Sequence, residues 1–314
     1  MAADPGSSVR SGVLSGVTAY VLWGMFPLYW GLLEPASPAE VLAARVVFSL
    51  ACLALLVTVV RQWGIVGQVW RSPRPRALLA VAAVLVSVNW GVFIWAVAND
   101  HVIDTALGYF INPLVSVILG VVVLRERLRG LQWLAVGIAT VGVLYATLSL
   151  GRLPWIALVL ALSFGLYGLV KKLAGIDAIP SLTVETTVMA PVALGYLAWL
   201  AGHGELALGA HGPGHAALMV LAGPVTALPL LFFGYAATRI PLSVLGPLQY
   251  VAPSLQLAIG VLVLGEPMTT GRWVSFAIVW VALVIFTVDA VATARRGRSG
   301  TAPALVEVGQ PPTP

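Results

Sequence analysis

Apolar residues fall in ten long runs, roughly 12–33, 39–60, 77–99, 103–124, 131–149, 154–171, 181–201, 215–238, 241–264 and 271–290. Most approach the roughly 20 residues that one bilayer crossing needs. Short polar links separate them; the longest are 61–76, with Pro73 and Pro75, and 202–214, rich in Gly and His. The pattern predicts an all-α polytopic membrane protein of about ten transmembrane helices. The tails 1–9 and 297–314 contain Pro, Gly and Ser and read as disordered. No small-residue cleavage site follows the first run, so it reads as a first span.

Composition agrees. Charged residues are only 9% of the 314, too few to clothe a water-facing surface, so lipid is the main solvent. The net charge of +5 would suggest nucleic acid in a soluble protein, but its distribution argues otherwise. With ten helices and a cytoplasmic N-terminus, the inner segments hold 14 of the 17 Lys and Arg residues. These are Arg10; Arg61, Arg71, Arg74 and Arg76; Arg125, Arg127 and Arg129; Lys171 and Lys172; Arg239; and Arg295, Arg296 and Arg298. Arg152 and Arg272 fall outside, and Arg45 lies within a helix. This asymmetry predicts both termini in the cytoplasm. The lone Cys52 sits in an apolar run and reads as a packing residue.

The chain also repeats itself. At an offset of 140, Phe110 falls on Tyr250, Pro113 on Pro253, Gly120 on Gly260, Leu124 on Leu264, Glu126 on Glu266, Trp133 on Trp273 and Val141 on Val281. At 141, Trp23-Gly24 falls on Phe164-Gly165. The expected organisation is a tail over 1–11, a five-helix repeat over 12–149, a second over 154–290 and a tail over 291–314. Five helices is an odd number, so the second repeat is inverted in the membrane. Inverted repeats characterise secondary transporters, with the site near the midplane.

Candidate site residues are the polar and aromatic side chains at membrane depth. They are Trp23; Arg45; Asn89, Trp90 and Trp95; Tyr109 and Asn112; Tyr167; and Gln249 and Tyr250. Each Asn or Gln is read either as an interhelical bond or as a substrate contact. Tyr29, Trp30 and Trp155 are read as interfacial anchors. Arg45 lies about six residues, roughly 9 Å, from the outer end of its helix. It is a functional residue by default, or else a snorkelling cation paired with Asp104 or Glu40. Glu185 is the candidate coupling carboxylate, with a capping role as the alternative. Pro27, Pro113, Pro191, Pro224, Pro229, Pro247 and Pro253 interrupt helices, as simple kinks or as makers of a cavity. No phosphate-binding loop, zinc motif or nucleophile elbow occurs, and His203, His211 and His215 are weak metal ligands. The chain therefore reads as a non-enzyme without metal or cofactor.

Several stretches resemble the RarD group of EamA-type transporters in the drug/metabolite transporter superfamily. They are Asn89-Trp90-Gly91-Val92-Phe93-Ile94-Trp95-Ala96-Val97, Leu107-Gly108-Tyr109-Phe110-Ile111-Asn112-Pro113-Leu114, Ala236-Ala237-Thr238-Arg239, Gln249-Tyr250 with Pro253, and Trp280-Val281-Ala282-Leu283. Arg45 with Val46 and Ser49, and Glu185-Thr186, fit as well. Arg125-Glu126 departs from the usual Gly-Glu, which Gly265-Glu266 keeps. The resemblance covers about 12–295. It implies a ten-helix inverted-repeat bundle in the bacterial plasma membrane, often labelled a chloramphenicol-sensitive protein. The function implied is secondary transport of a small metabolite or drug-like solute, with export favoured by family analogy. Expected partners are the solute, a coupling proton and the lipid bilayer; a homo-oligomer is compatible, and no nucleic acid is involved. The alternative is a non-transporting membrane sensor or assembly protein.

Overall fold

The structure, a computed structural model, describes residues 5–125, 129–151, 153–237 and 248–299. The described residues form twelve helices and no strand. In chain order they are α1 (Pro5–Gly24), α2 (Phe26–Gly31), α3 (Pro38–Val59), α4 (Trp63–Arg71), α5 (Pro73–Ala98) and α6 (Val102–Leu124). Then come α7 (Gly130–Leu150), α8 (Trp155–Ala174), α9 (Ala178–His203), α10 (Gly212–Ala237), α11 (Val251–Leu262) and α12 (Thr270–Ser299). Eight spans are long and apolar enough to cross a membrane, α1 and α2 counting together as one, and α8 and α11 hold shorter apolar helices. The ten apolar runs of the sequence thus each have a helix.

Four details differ from the sequence reading. Helix α1 already starts at Pro5 and α12 reaches Ser299, well into the segments read as disordered. The link 61–76 contains the helix α4, whose Val66 and Val69 bury against Val57, Leu79 and Val184. The first run is broken at Met25. Pro253 lies in the first turn of α11, where a missing N–H costs little, whereas Pro113 sits inside α6. Pro247, Glu126, Arg127, Arg152 and Arg239 lie outside the described residues.

The break at Met25 has a chemical cause. Pro27 has no N–H to offer the carbonyl four residues back, and its ring presses against that carbonyl. The carbonyl belongs to Trp23, and it accepts a bond from Gln256 Nε2 of α11 at 3.3 Å instead. A freed backbone acceptor in lipid needs such an internal partner. Helix α2 then starts afresh at a new angle and carries Phe26, Tyr29 and Trp30 into the bundle, where Phe26 and Trp30 are buried.

Several helix contacts recur when the two halves are exchanged, although that of α3 with α5 has no counterpart of similar size between α9 and α10. The contact of α5 with α8 is matched by that of α10 with α1, α6 with α8 by α11 with α1, and α3 with α10 by α9 with α5. Three pairs match themselves: α3 with α9, α6 with α11, and α7 with α12. Atomic detail follows the same rule. A side chain at Gly24 would meet Leu255, and one at Gly165 would meet Val115; Gly24 and Gly165 are repeat equivalents, as are Val115 and Leu255. Glycine at both places leaves room for the facing side chain to seat against the helix backbone.

At one end of the bundle the halves are tied together by polar contacts. Leu208 N–H donates to Glu40 at 2.8 Å, and Val102 and Ile103 N–H donate to Glu266 at 2.5 and 3.0 Å. Arg272 reaches Asp104 at 3.3 Å, while His215 Nε2 lies 3.0 Å from the Leu33 carbonyl. The Glu266 carboxylate thereby satisfies the orphan amides at the start of α6. Burial raises its carboxyl above the usual carboxylate range, and the two amide donors pull it back down.

Candidate functional site

Arg45 is the centre of the site. It lies in the second turn of α3, a helix started by Pro38 and capped by Ser37, whose Oγ accepts from Glu40 N–H at 3.2 Å. Only 3% of Arg45 is exposed. Its guanidinium carbon stands 3.8 Å from the centre of the Trp90 ring on α5, 4.9 Å from Trp30 and 5.7 Å from Phe26 on α2. Tyr29 and Tyr109 pack against the apolar cluster that holds Phe26 and Trp30. The break in the first span is therefore what supplies half of the cage.

No carboxylate answers this charge among the described residues. Five carboxylate side chains are buried there, and each is engaged elsewhere. Glu40 holds Leu208 N–H, Glu266 caps α6, Asp104 pairs with Arg272 and His101, Glu185 with Lys171, and Asp289 with Arg129 at 3.1 Å. The pairing of Arg45 with Asp104 or Glu40 weighed from the sequence does not occur. Arg45 Nε has no hydrogen-bond partner, and neither do Trp30 Nε1 or Ser49 Oγ. Ser49 lies one turn beyond Arg45 on the same face of α3. Desolvated cation–π contacts are worth about 2 kcal/mol, whereas burying an ion costs several. The rings alone leave the charge under-compensated.

A polar and aromatic ladder leads away from the cage. Tyr109 of α6 donates to Asn89 Oδ1 at 3.2 Å, and Asn89 Nδ2 donates to the Leu160 carbonyl and to Ser163 Oγ on α8, both at 3.0 Å. Asn89 thus binds three helices together with both ends of its amide occupied. Tyr109 also meets Phe164 edge-on at 6.4 Å, and Phe164 meets Tyr167 at 5.9 Å. Tyr167 donates to Glu185 Oε2 at 3.0 Å.

Comparison with known proteins decides the family. A profile of the EamA-like transporter family matches residues 10–148. A "Protein RarD" of Streptomyces exfoliatus is 52% identical, over 92% of both chains. The "Protein RarD" of Escherichia coli strain K12 is 43% identical over 91% of this chain and 97% of its own. An "Uncharacterized transporter" of Vibrio cholerae is 44% identical over 92% and 97%. The chain belongs to the RarD group of EamA-type transporters. It is a multi-pass membrane transporter. A solved crystal structure only 16% identical shares the fold, with a TM-score of 0.57 over 91% of this chain and 98% of that one.

The RarD-type fold gathers some of the sequence candidates and scatters others. Arg45, Trp90, Tyr109 and Asn89 form one neighbourhood. Glu185 and Tyr167 form a second, lower on the ladder. Glu185 is 1% exposed, and its carboxylate accepts from Lys171 Nζ and Ser181 Oγ, at 2.7 and 2.8 Å, besides Tyr167. Tyr250 stacks on Phe110 at 6.3 Å and is within bonding reach of Thr287 and Gln249, inside the apolar cluster shared by α6 and α12. Trp23 packs against Tyr20 and Phe233. The buried Asn112 Oδ1 has no partner. Trp95 is 37% exposed, stacks on His101 and meets Trp155 at a tilt near the helix ends.

Two cage residues were misread from the sequence. Trp30 and Tyr29 look like interfacial anchors because they close an apolar run. Trp30 is buried under Arg45, and Tyr29 donates to the Leu218 carbonyl at 2.5 Å. The available signal was Pro27: a proline in mid-run opens a new helix, and the aromatic residues after it need not lie at the membrane surface.

Proposed function

We propose that this RarD-type transporter is a secondary carrier that moves a small metabolite or drug-like solute by alternating access, its two five-helix halves related as inverted repeats. The observation that carries the reading is the packing pattern that survives exchange of the halves. Such symmetry gives two conformations of equal architecture, each open to one side, with the site between them. The solute would dock at the Arg45 cage, where α2, α3, α5 and α6 meet. We take the direction as export, on family resemblance, and the location as the bacterial plasma membrane with both termini cytoplasmic, on the distribution of Lys and Arg. The chemistry is movement of a solute, without a catalytic step or bound cofactor.

Glu185 is our candidate for the coupling carboxylate. It is paired with Lys171 and bonded by Tyr167 and Ser181, and protonation would discharge the pair with Lys171 and leave fewer lone pairs for the two hydroxyls. The test of the transport reading is a thermal-shift screen of the purified protein, followed by flux of each hit in proteoliposomes under an imposed pH gradient. A stabilising ligand raises melting with the logarithm of its concentration over Kd. Binding with flux supports the carrier. A folded protein that binds solutes and never moves them is a sensor, and this reading is then wrong.

A further inference from the structure

Resting on the carrier reading, we propose that the transported solute is an organic anion with a planar or apolar body, whose anionic group docks on Arg45 between Trp30 and Ser49. Arg45 is the one buried cation among the described residues, and every buried carboxylate there is committed to another partner. A buried charge left unpaired is expensive, so it is retained where a partner arrives from outside.

The direction of the free groups indicates what arrives. The guanidinium carbon lies over the Trp90 ring at 3.8 Å, and a guanidinium stacked on a ring keeps the N–H donors of its edge for other partners. That edge matches a carboxylate, sulfonate or phosphate monoester, which accept two parallel bonds. Trp30 Nε1, a pure donor, is buried without an acceptor in the ring that stands 4.9 Å from the guanidinium. Ser49 adds a hydroxyl on the same face of α3. Two orphan donors beside an uncompensated cation call for an acceptor carrying negative charge. Neutral solutes would leave the charge unpaired, and cations would be repelled. The hydroxyls of Tyr29 and Tyr109 already donate to Leu218 O and Asn89 Oδ1, so charge recognition falls on Arg45 and Trp30. The rings of Phe26, Trp30 and Trp90 keep water away and offer flat apolar walls.

An anionic headgroup of a lipid presents the same chemistry as a free anion. The site is inside the bundle, ringed by α2, α5 and α6, which favours the free solute, and the experiment separates the two. The full-length protein is reconstituted in nanodiscs of zwitterionic lipid. Phenylacetate, toluenesulfonate and phenyl phosphate are titrated against the neutral phenylacetamide, reading the fluorescence of the cage tryptophans and the melting temperature. At least one anion should bind roughly tenfold or more tightly than phenylacetamide. Arg45→Gln should erase that preference without lowering the melting temperature of the empty protein, and Arg45→Lys should keep part of it. A folded wild type that binds no anion, binds acid and amide equally, or keeps its preference in Arg45→Gln overturns the proposal. Loss of anion binding when phosphatidylglycerol is added to the nanodisc overturns the soluble substrate and assigns the site to a lipid headgroup. Flux in proteoliposomes decides the underlying reading separately. Movement of neutral solutes without charge preference leaves the carrier standing and removes the anion; charge-selective binding that never becomes flux removes the carrier.

Discussion

Arg45 and Glu185 are both charges buried in the bundle, at 3% and 1% exposure, and their surroundings are opposite. Glu185 is surrounded by partners: a lysine, a tyrosine hydroxyl and a serine hydroxyl all from its own half of the chain, on α8 and α9. Arg45 is surrounded by rings and has no counterion among the described residues. A charge whose bonds are met internally holds helices together or switches them. A charge whose bonds are not met is a place for something else to bind. The two are joined by the ladder of Tyr109, Phe164 and Tyr167, so they are also candidates for conversation. Adjacency is not coupling, and only perturbation of each end shows whether they speak.

The largest stability effect should come from breaking the satisfied charge on its exposed side. Lys171 keeps 20% of its side chain in contact with solvent, while Glu185 keeps 1%. Lys171→Met leaves a carboxylate buried without its cation, which costs about 3–5 kcal/mol. Reversible unfolding in mixed micelles, or the melting temperature in detergent, measures this. A loss under about 1 kcal/mol would mean that Tyr167 and Ser181 suffice, and the clasp reading would fail.

Next in size is the amide that ties three helices. Asn89→Ala removes the acceptor for Tyr109 and the donor for Leu160 and Ser163. We expect about 1–3 kcal/mol of destabilisation, since buried polar partners lose their bonds together. Tyr109→Phe should cost less, because it leaves one acceptor, Asn89 Oδ1, without its donor instead of three partners without theirs. If Asn89→Ala leaves stability untouched but weakens ligand binding, the amide faces the solute rather than the neighbouring helices.

Arg45 should move the other way. Replacing it with Met exchanges an unpaired ion for an apolar side chain of similar length, a change that is neutral or stabilising by about 1 kcal/mol or more. The melting temperature of the empty protein should hold or rise while transport falls. A protein that loses stability on this substitution would place the cage among the structural elements, and the contrast with Glu185 would disappear.

How far the sequence reaches can be judged on the same residues. Burial of ten apolar runs in lipid is a one-dimensional property, so the helices and the repeat are readable from hydropathy and spacing. The glycine pair Gly24 and Gly165, each against its own repeat-equivalent partner, is where that repeat becomes contact. Arg45, Trp90, Asn89 and Tyr109 were readable because polar and aromatic groups in lipid must face inward. Trp30 was not, because its depth depends on the angle taken after Pro27, which is a three-dimensional fact. Lys171 was read only as an inside-facing charge; its reach to Glu185 depends on how α8 and α9 pack. The stacking of Trp95 on His101, beyond the end of α5 at Ala98, depends on how the chain turns after the helix and is not written in the run itself.

The smallest expected stability effect belongs to Glu185→Gln, and it bears most directly on coupling. Glutamine keeps an oxygen to accept from Tyr167 or Ser181 and removes the charge, while the partly exposed Lys171 can turn to water. We expect about 1 kcal/mol or less, well below the Lys171→Met loss, because the group left unpaired is the one nearer solvent. The amide also mimics a carboxyl that is permanently protonated. If Glu185 carries the coupling proton, this variant should bind solute with unchanged affinity and exchange it down a solute gradient. Accumulation driven by an imposed pH gradient should be lost. Proteoliposomes loaded at one pH and diluted into another measure both. Unchanged pH-driven accumulation in Glu185→Gln would return the carboxylate to a purely structural role beside Lys171. The buried unpaired cation would then stand as the functional charge of the pair, and the force that drives transport would have to be sought in the solute itself, through exchange of one anion for another at Arg45.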